Sequence, residues 1–243
     1  SSMATRRYFL DSRAPRYSVL FAFPLLVAYE VSAFLLSGST GAGVRNGADV
    51  ILKSLFALLG GHRGLLIFEV LLIGIGAWLV ARDWKAHPGP LRPAWFAAML
   101  AESAVLAVLV GVVVGQLTVA ILPQLALVQG AGSLDTATQL MISLGAGIYE
   151  ELLFRVILVG SLAWSARRIF GWSPTGAGVF AAVLGAFIFS AFHYVGAYGD
   201  PLRLDSFTFR MIAGLVFSAM YLTRGFGITA WTHALYDVFV TLG

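Results

Sequence analysis

Three charged residues interrupt a mostly apolar stretch in the second half of the chain. They are Glu150, Glu151 and Arg155, within residues 138–164. Glu151 and Arg155 are four residues apart, so a helix would place them on one face as an ion pair. Glu150 is about 100° away around the same helix, and we expect it to point elsewhere with no local partner. A lone carboxylate in apolar surroundings is suited to general acid or base catalysis.

Two histidines also fall within apolar segments. His193 follows Phe189 by four residues, and His233 precedes Asp237 by four. An i, i+4 spacing puts His233 and Asp237 on one helix face. Each feature has an ordinary explanation, such as a structural ion pair, an interfacial histidine or a His–Asp hydrogen bond. Together they favour a functional site, because each buried charge in a membrane costs at least about 2.5–3.5 kcal/mol.

The composition indicates that lipid is the solvent for much of the chain. Hydrophobic residues make up 59% and charged residues 12% of the 243 residues, against about 45–50% and 25% in soluble domains. We therefore expect an all-α, multi-pass transmembrane bundle of about seven or eight membrane segments. Residues 1–243 would form a single membrane domain. The chain contains no cysteine, which excludes disulfides, thiolate metal sites and cysteine nucleophiles.

Hydropathy divides the chain into apolar segments joined by short polar loops. An amphipathic helix at 49–59 is expected at the membrane interface, and loops are expected at 38–48 and 123–136. Small residues are expected to allow close helix packing at Gly111 and Gly115 and at Gly145 and Gly147. The predicted spans are 17–37, 64–81, 94–122, 138–164, 175–197, 207–222 and 227–242.

The basic residues predict the orientation. With the N-terminus in the cytoplasm, ten Lys and Arg residues fall on the inside and five on the outside, as the positive-inside rule requires. The positive charge is thus explained by topology, and no nucleic-acid partner is expected. The first apolar segment is read as a retained span. The abundance of Arg, Ala, Gly and Leu is typical of GC-rich bacteria, so we expect a bacterial inner-membrane protein.

At these polar residues the sequence resembles the CAAX-protease and bacteriocin-processing family, also called CPBP or ABI. That family carries EExxxR, FxxxH and HxxxN on three successive membrane segments. Here they read Glu150-Glu151-x-x-x-Arg155, Phe189-x-x-x-His193 and His233-x-x-x-Asp237. The resemblance covers residues 138–240, the expected catalytic core. The departure is Asp237, where the family commonly has Asn, and it puts a direct oxyanion role for this position in doubt.

The resemblance implies a glutamic-type intramembrane endopeptidase. Glu150 would activate a water molecule with help from His193, and His233, supported by Asp237, would stabilise the oxyanion. The expected partners are the lipid bilayer and a membrane-anchored or lipidated protein, cleaved near its C-terminal end. The remaining motif residues would support the helix or the substrate; these are Glu151, Arg155 and Phe189.

No cofactor is expected. Two histidines, a glutamate and an aspartate could ligate zinc, and the i, i+4 His/Asp spacing is compatible with this. The sequence lacks HExxH and lacks a further histidine to complete three clear ligands. We therefore favour metal-independent catalysis, with zinc as the alternative.

Two other functions fit a polar membrane bundle. A non-catalytic scaffold could use the same fold, and a proton-coupled transporter could use Glu30, Glu69 and Glu102 as a relay. We interpret these three glutamates as interfacial or helix-pairing residues, with a cavity-lining role as the alternative. The transporter hypothesis is disfavoured because the sequence shows no inverted repeat or broken helix of the kind transporters use. The sequence carries no signal for an oligomeric state.

Overall fold

The computed structural model describes residues 3–40, 44–122, 134–196 and 199–243. Within these ranges the chain is helical and contains no strand. The helices are α1 (Met3–Asp11), α2 (Pro15–Thr40), α3 (Gly47–Gly60), α4 (His62–Ala86), α5 (Pro93–Ile121), α6 (Thr136–Gly145), α7 (Gly160–Arg168), α8 (Pro174–Phe192), α9 (Leu204–Arg224) and α10 (Phe226–Leu242). Two π-helical stretches, Ala146–Glu150 and Leu152–Val159, join α6 to α7. We call this continuous rod, residues 136–168, the motif helix.

The all-α prediction is confirmed. In the described ranges, five helices are long and apolar enough to cross a membrane: α2 over Pro15–Ser37, α4, α5, α8 and α9. The other two predicted spans are the motif helix, which carries the buried charges, and α10. At 17 residues, α10 is about 25 Å long. The predicted loop at 123–136 lies mostly outside the described residues, since only 134–136 are described.

One end of the bundle is held by charges next to the N-terminus. Arg224 pairs with Glu102 at 2.6 Å, and the Tyr8 hydroxyl donates to the same carboxylate at 2.6 Å. Burial, with the Glu102 carboxylate, raises the pKa of Tyr8 well above its usual value, so the hydroxyl stays a donor. Arg16 lies 3.7 Å from Asp83 in the same layer. Glu102 is thus a helix-pairing residue, as predicted.

A second charged layer surrounds α3. Lys53 lies 2.9 Å from both Glu30 and Asp49 and 3.0 Å from Glu69. Arg45 also contacts Glu30, at 2.7 Å. Glu30 and Glu69 therefore pair helices α2, α3 and α4, which confirms their predicted role.

The predicted amphipathic helix forms, but its polar face points inward. Asp49 is fully buried in α3, whereas Leu58 and Leu59 are each 85% exposed. The ion pairs of Asp49 explain this orientation, because a paired charge is tolerated inside the bundle while leucines can face acyl chains. The charged side of α3 therefore packs against the bundle, and the expected place of this helix at the membrane interface stays a prediction.

Glycines set the closest helix contacts around the motif helix. A Cβ added at Gly147 would lie 2.4 Å from the Ala230 carbonyl oxygen of α10, and one at Gly145 would lie 2.6 Å from the Tyr29 ring. The prediction of close approach is confirmed at both positions. It is wrong at Gly115, where an added Cβ would meet nothing within 4 Å, while Gly111 only faces the Tyr236 ring at 3.4 Å.

Candidate active site

The second glutamate of the motif connects the motif helix to α10. Oε1 of Glu151 lies 2.6 Å from Nδ1 of His233, and Oε2 lies 3.2 Å from Nε of Arg155. Glu151 is fully buried, and Arg155 is 1% exposed. The predicted ion pair is confirmed, and the carboxylate additionally fixes the imidazole. With Nδ1 directed at Glu151, Nε2 is the ring nitrogen that faces the remaining polar groups.

Glu150 reaches the same imidazole from its other edge. Its Oε2 lies 4.0 Å from Nε2 of His233. Its Oε1 accepts a hydrogen bond from Nδ2 of Asn46 at 2.9 Å. The interpretation of Glu150 as a lone carboxylate was therefore wrong, although its partner does not lie on its own helix. That interpretation considered only neighbours on its own helix, whereas Asn46 comes from the loop before α3.

The backbone of the motif helix helps both glutamates to reach one ring. Ala146–Glu150 and Leu152–Val159 are π-helical on either side of Glu151. Such wide turns are rare and often occur at functional sites. Two adjacent carboxylates thus face opposite edges of His233, at 2.6 Å and 4.0 Å, instead of one of them turning away as an ideal α-helix suggested.

Asp237 lies on the same face of α10 as His233, as its spacing predicts. Its Oδ2 is 3.6 Å from Nε2 of His233, too far for a direct hydrogen bond. Asp237 side-chain exposure is 31%, so it lies at the open side of the cluster. Neither Glu150 nor Asp237 is hydrogen-bonded directly to Nε2, but each is close enough for one water molecule to bridge the gap.

His193 follows the last residue of α8, because this helix ends at Phe192, before the end of the predicted 175–197 span. Its Nδ1 lies 2.9 Å from the Phe189 carbonyl oxygen. That nitrogen is therefore the protonated one in the neutral ring, which leaves Nε2 as an acceptor. The Phe189 ring centroid lies 4.9 Å from that of His193 and 6.5 Å from that of His233, so the two imidazoles share one aromatic neighbour.

Aromatic rings enclose the charged cluster. His233 stacks on Phe217 of α9, with ring centroids 4.4 Å apart and planes inclined by 17°. The Arg155 guanidinium lies over Phe189 at 4.6 Å and over Phe217 at 5.7 Å. Such cation–π contacts partly replace the water that a buried guanidinium loses. Phe189 therefore supports both Arg155 and, through its carbonyl, His193.

The comparison with protein families agrees with this geometry. The family model described as type II CAAX prenyl endopeptidase Rce1-like matches residues 132–239. Over this segment the chain is similar to the Rce1-like family. The match includes all seven predicted site residues and confirms the resemblance to CAAX proteases. No curated protein and no solved structure matches the chain.

Rce1-like proteins are peptide hydrolases, so this chain is a CAAX-type protease of a multi-pass membrane bundle. As such it acts on a membrane-associated substrate. The Rce1-like segment contains the motif helix, α8, α9 and most of α10. The motif helix carries the two glutamates, α10 carries His233, and His193 directly follows α8.

One residue of the cluster lies outside the Rce1-like segment, and sequence reasoning missed it. Asn46 is 3% exposed and donates to Glu150. The available signal was local, since Asn is a favoured N-cap and the run Asn46-Gly47-Ala48-Asp49 precedes an apolar helix. The signal predicts a cap but not the contact with Glu150, which is 104 residues away along the chain.

The donor set was also compared with the needs of a metal ion. Within the described ranges, no group of three or more His, Asp or Glu side chains has an arrangement that could hold a metal. Nδ1 of His233 and one oxygen of Glu150 are already used by Glu151 and Asn46. The expectation of metal-independent catalysis stays a prediction, and it is tested below with a chelator.

Proposed function

We propose that the chain is a glutamic-type intramembrane endopeptidase that hydrolyses a peptide bond near the C-terminal end of a membrane-anchored or lipidated protein. The observation that carries this proposal is the convergence on His233 of Glu151 at 2.6 Å, Asp237 at 3.6 Å and Glu150 at 4.0 Å. These groups come from two helices and lie between aromatic walls. Packing alone gives no reason to gather three carboxylates around one imidazole.

Glu150 is the proposed general base. One oxygen is held by Asn46, and the other faces Nε2 of His233 across 4.0 Å. A water molecule at ordinary hydrogen-bond distance from both atoms would fit this separation. Glu150 would take a proton from that water as its oxygen attacks the scissile carbonyl carbon. The proton would then pass to the amide nitrogen as the C–N bond breaks, giving a carboxylic acid and a free amine.

The histidines have separate proposed roles. Once both nitrogens of His233 carry protons, Nε2–H can donate to the oxyanion of the tetrahedral intermediate, while Glu151 holds Nδ1–H. His193 keeps Nε2 free as an acceptor, since its Nδ1 is directed at the Phe189 carbonyl. It would hold the attacking water in place. Asp237 would stabilise the charged form of His233 from the open side.

An apolar groove next to this cluster would hold the substrate's anchor. It lies between the motif helix and α8, and its lining includes Phe192 and Val195, which flank His193 along the chain. Its walls are apolar on both sides, as the anchor of a membrane substrate requires. The groove is lined mainly by Leu153, Phe154, Ile157, Ile188, Phe192 and Val195.

The proposed orientation puts the N-terminus in the cytoplasm of a bacterial cell and the site nearer the outer surface. Arg16 and Tyr29 are 13 residues apart on α2, about 20 Å along the helix. Tyr29 contacts Asn46, so the cluster lies well away from the N-terminal arginines. This placement rests on the positive-inside distribution of charge.

The decisive experiment uses the purified chain and a set of membrane-anchored peptides that the wild type cleaves. Glu150→Gln and Glu150→Ala should lose about 10²–10⁴-fold in kcat, because the general base is removed. Cleavage by the wild type should survive a chelator. Undiminished cleavage by Glu150→Ala would end the glutamic mechanism, and loss of cleavage in the chelator would favour the zinc alternative.

A further inference from the structure

We propose that Asn46, from the N-terminal half of the chain, is a positioning residue for Glu150. Its amide occupies Oε1 with a hydrogen bond and leaves Oε2 as the oxygen that accepts the proton from water. This inference rests on the proposed function, because it concerns the same carboxylate. It adds a residue outside the Rce1-like segment to the site. The 2.9 Å contact between Asn46 Nδ2 and Glu150 Oε1 carries it.

The orientation of the Asn46 amide is fixed by its other contacts. Its Oδ1 accepts from the Ala48 backbone N–H at 2.9 Å as the N-cap of α3. Because the amide oxygen is occupied by this donor, the NH₂ group must point to the other side, toward Glu150. The backbone N–H of Asn46 donates to the Tyr29 hydroxyl at 3.0 Å. The residue is thus held on several sides.

The charged layer around α3 keeps this amide in place. The Tyr29 hydroxyl that accepts from Asn46 donates to Asp49 at 2.8 Å. Asp49 in turn pairs with Lys53 at 2.9 Å. The inward-facing charges of α3 therefore act through Tyr29 and the helix cap to hold the residue that contacts Glu150. A network of hydrogen bonds and ion pairs of this kind restricts the position of a side chain.

The amide also has a chemical property that neighbouring residues lack. It is an uncharged donor, so it can hold a carboxylate without becoming its counter-ion or taking its proton. Arg155 cannot play this part, because its Nε faces Glu151. With Oε1 held, Oε2 is left on the side of Nε2 of His233. Asn46 would thereby decide which oxygen of Glu150 faces the attacking water.

Two substitutions separate positioning from capping. Asn46→Ser and Asn46→Asp both keep a side-chain oxygen that can cap α3, but neither keeps the amide donor. Asn46→Ser should lower kcat about 10- to 100-fold, the usual worth of a hydrogen bond to a charged group. KM should stay within a factor of about two, since Asn46 acts on the base and not on the substrate. Asn46→Asp should lose at least as much, because two carboxylates would face each other.

Ser173→Ala is the matched control. Ser173 caps α8 by accepting from the Gly176 N–H at 3.1 Å, and no site residue contacts it. This variant should lower thermal stability and leave kcat unchanged. Adding Asn46→Ser to Glu150→Gln should cause little further loss, because both changes act on one group.

The outcomes distinguish the two proposals. Full kcat in folded Asn46→Ser or Asn46→Asp, with Glu150→Gln inactive, would overturn the positioning role and leave the glutamic mechanism standing. Full kcat in Glu150→Gln would overturn the mechanism and the positioning role together. A loss in Asn46→Ser that adds independently to the loss in Glu150→Gln would also contradict the positioning role.

Discussion

Glu151, and not Asp237, makes the direct hydrogen bond that orients His233. The Nδ1–Oε1 distance is 2.6 Å to Glu151, whereas Nε2 lies 3.6 Å from Asp237. The sequence placed Asp237 next to His233 by helix spacing and paired Glu151 with Arg155. The structure adds that Glu151 serves both Arg155 and His233, so the second glutamate links the ion pair to the imidazole.

This arrangement predicts different consequences for two conservative substitutions. Glu151→Gln should lower kcat about 10- to 100-fold, because the charged acceptor that orients His233 is lost. Asp237→Asn should cost less than about tenfold, since no direct hydrogen bond is broken, and it restores the residue common in the family. Parallel kinetics with one anchored peptide would decide; a larger loss in Asp237→Asn than in Glu151→Gln would contradict this order.

The buried ion pair predicts a stability effect that can be partly reversed. Arg155→Met leaves Glu151 buried without its counter-ion and should destabilise the fold by about 3–5 kcal/mol. Arg155→Met combined with Glu151→Gln should lose less, because no unpaired charge remains inside. Chemical denaturation in detergent gives the free energy of unfolding of both variants. A double variant less stable than Arg155→Met alone would show that the charge is not the cause.

The close contact at Gly147 predicts a matched pair of glycine variants. Gly147→Ala would push the motif helix away from α10, since its Cβ would lie 2.4 Å from the Ala230 carbonyl oxygen. We expect a loss of about 1–3 kcal/mol and a strong fall in kcat as Glu150 and His233 separate. Gly115→Ala, which meets nothing within 4 Å, should keep full activity and gain slightly in stability. Equal behaviour of the two variants would contradict the proposed contact.

The pairing of Glu102 provides a test between the protease hypothesis and the proton-coupled transporter hypothesis. Glu102 accepts from Tyr8 and Arg224 far from the catalytic cluster. Glu102→Gln should therefore lower thermal stability and leave peptide cleavage within about twofold, because only one ion pair is weakened. Proton uptake into vesicles that depends on Glu102 would instead support the transporter alternative.

Orientation can be tested because the chain has no cysteine of its own. Val195 lies two residues after His193 and is 74% exposed, and Lys85 lies at the end of α4. Each can be replaced by cysteine, as Val195→Cys and Lys85→Cys. With the N-terminus inside, an impermeant thiol reagent applied to intact cells should label position 195 and spare position 85. The reverse pattern would invert the proposed topology.

The sequence predicted the class of fold, the five long spans and the motif residues because these follow from hydropathy and helix spacing. It could not predict the Glu150–Asn46 contact, since nothing local relates residues 46 and 150. It also missed the inward polar face of α3, because amphipathicity defines a polar side but not what that side contacts. The prediction of close packing failed at Gly115 for a similar reason, as small residues permit a close contact without requiring one.

The shared hydrogen bond between Asn46 and Glu150 bears on how the chain must be assembled. The Rce1-like segment holds Glu150, Glu151 and both histidines of the cluster, yet one oxygen of Glu150 accepts a hydrogen bond from an amide that is synthesised about a hundred residues earlier. Two separately expressed halves would thus gain activity only after docking side by side in the same membrane.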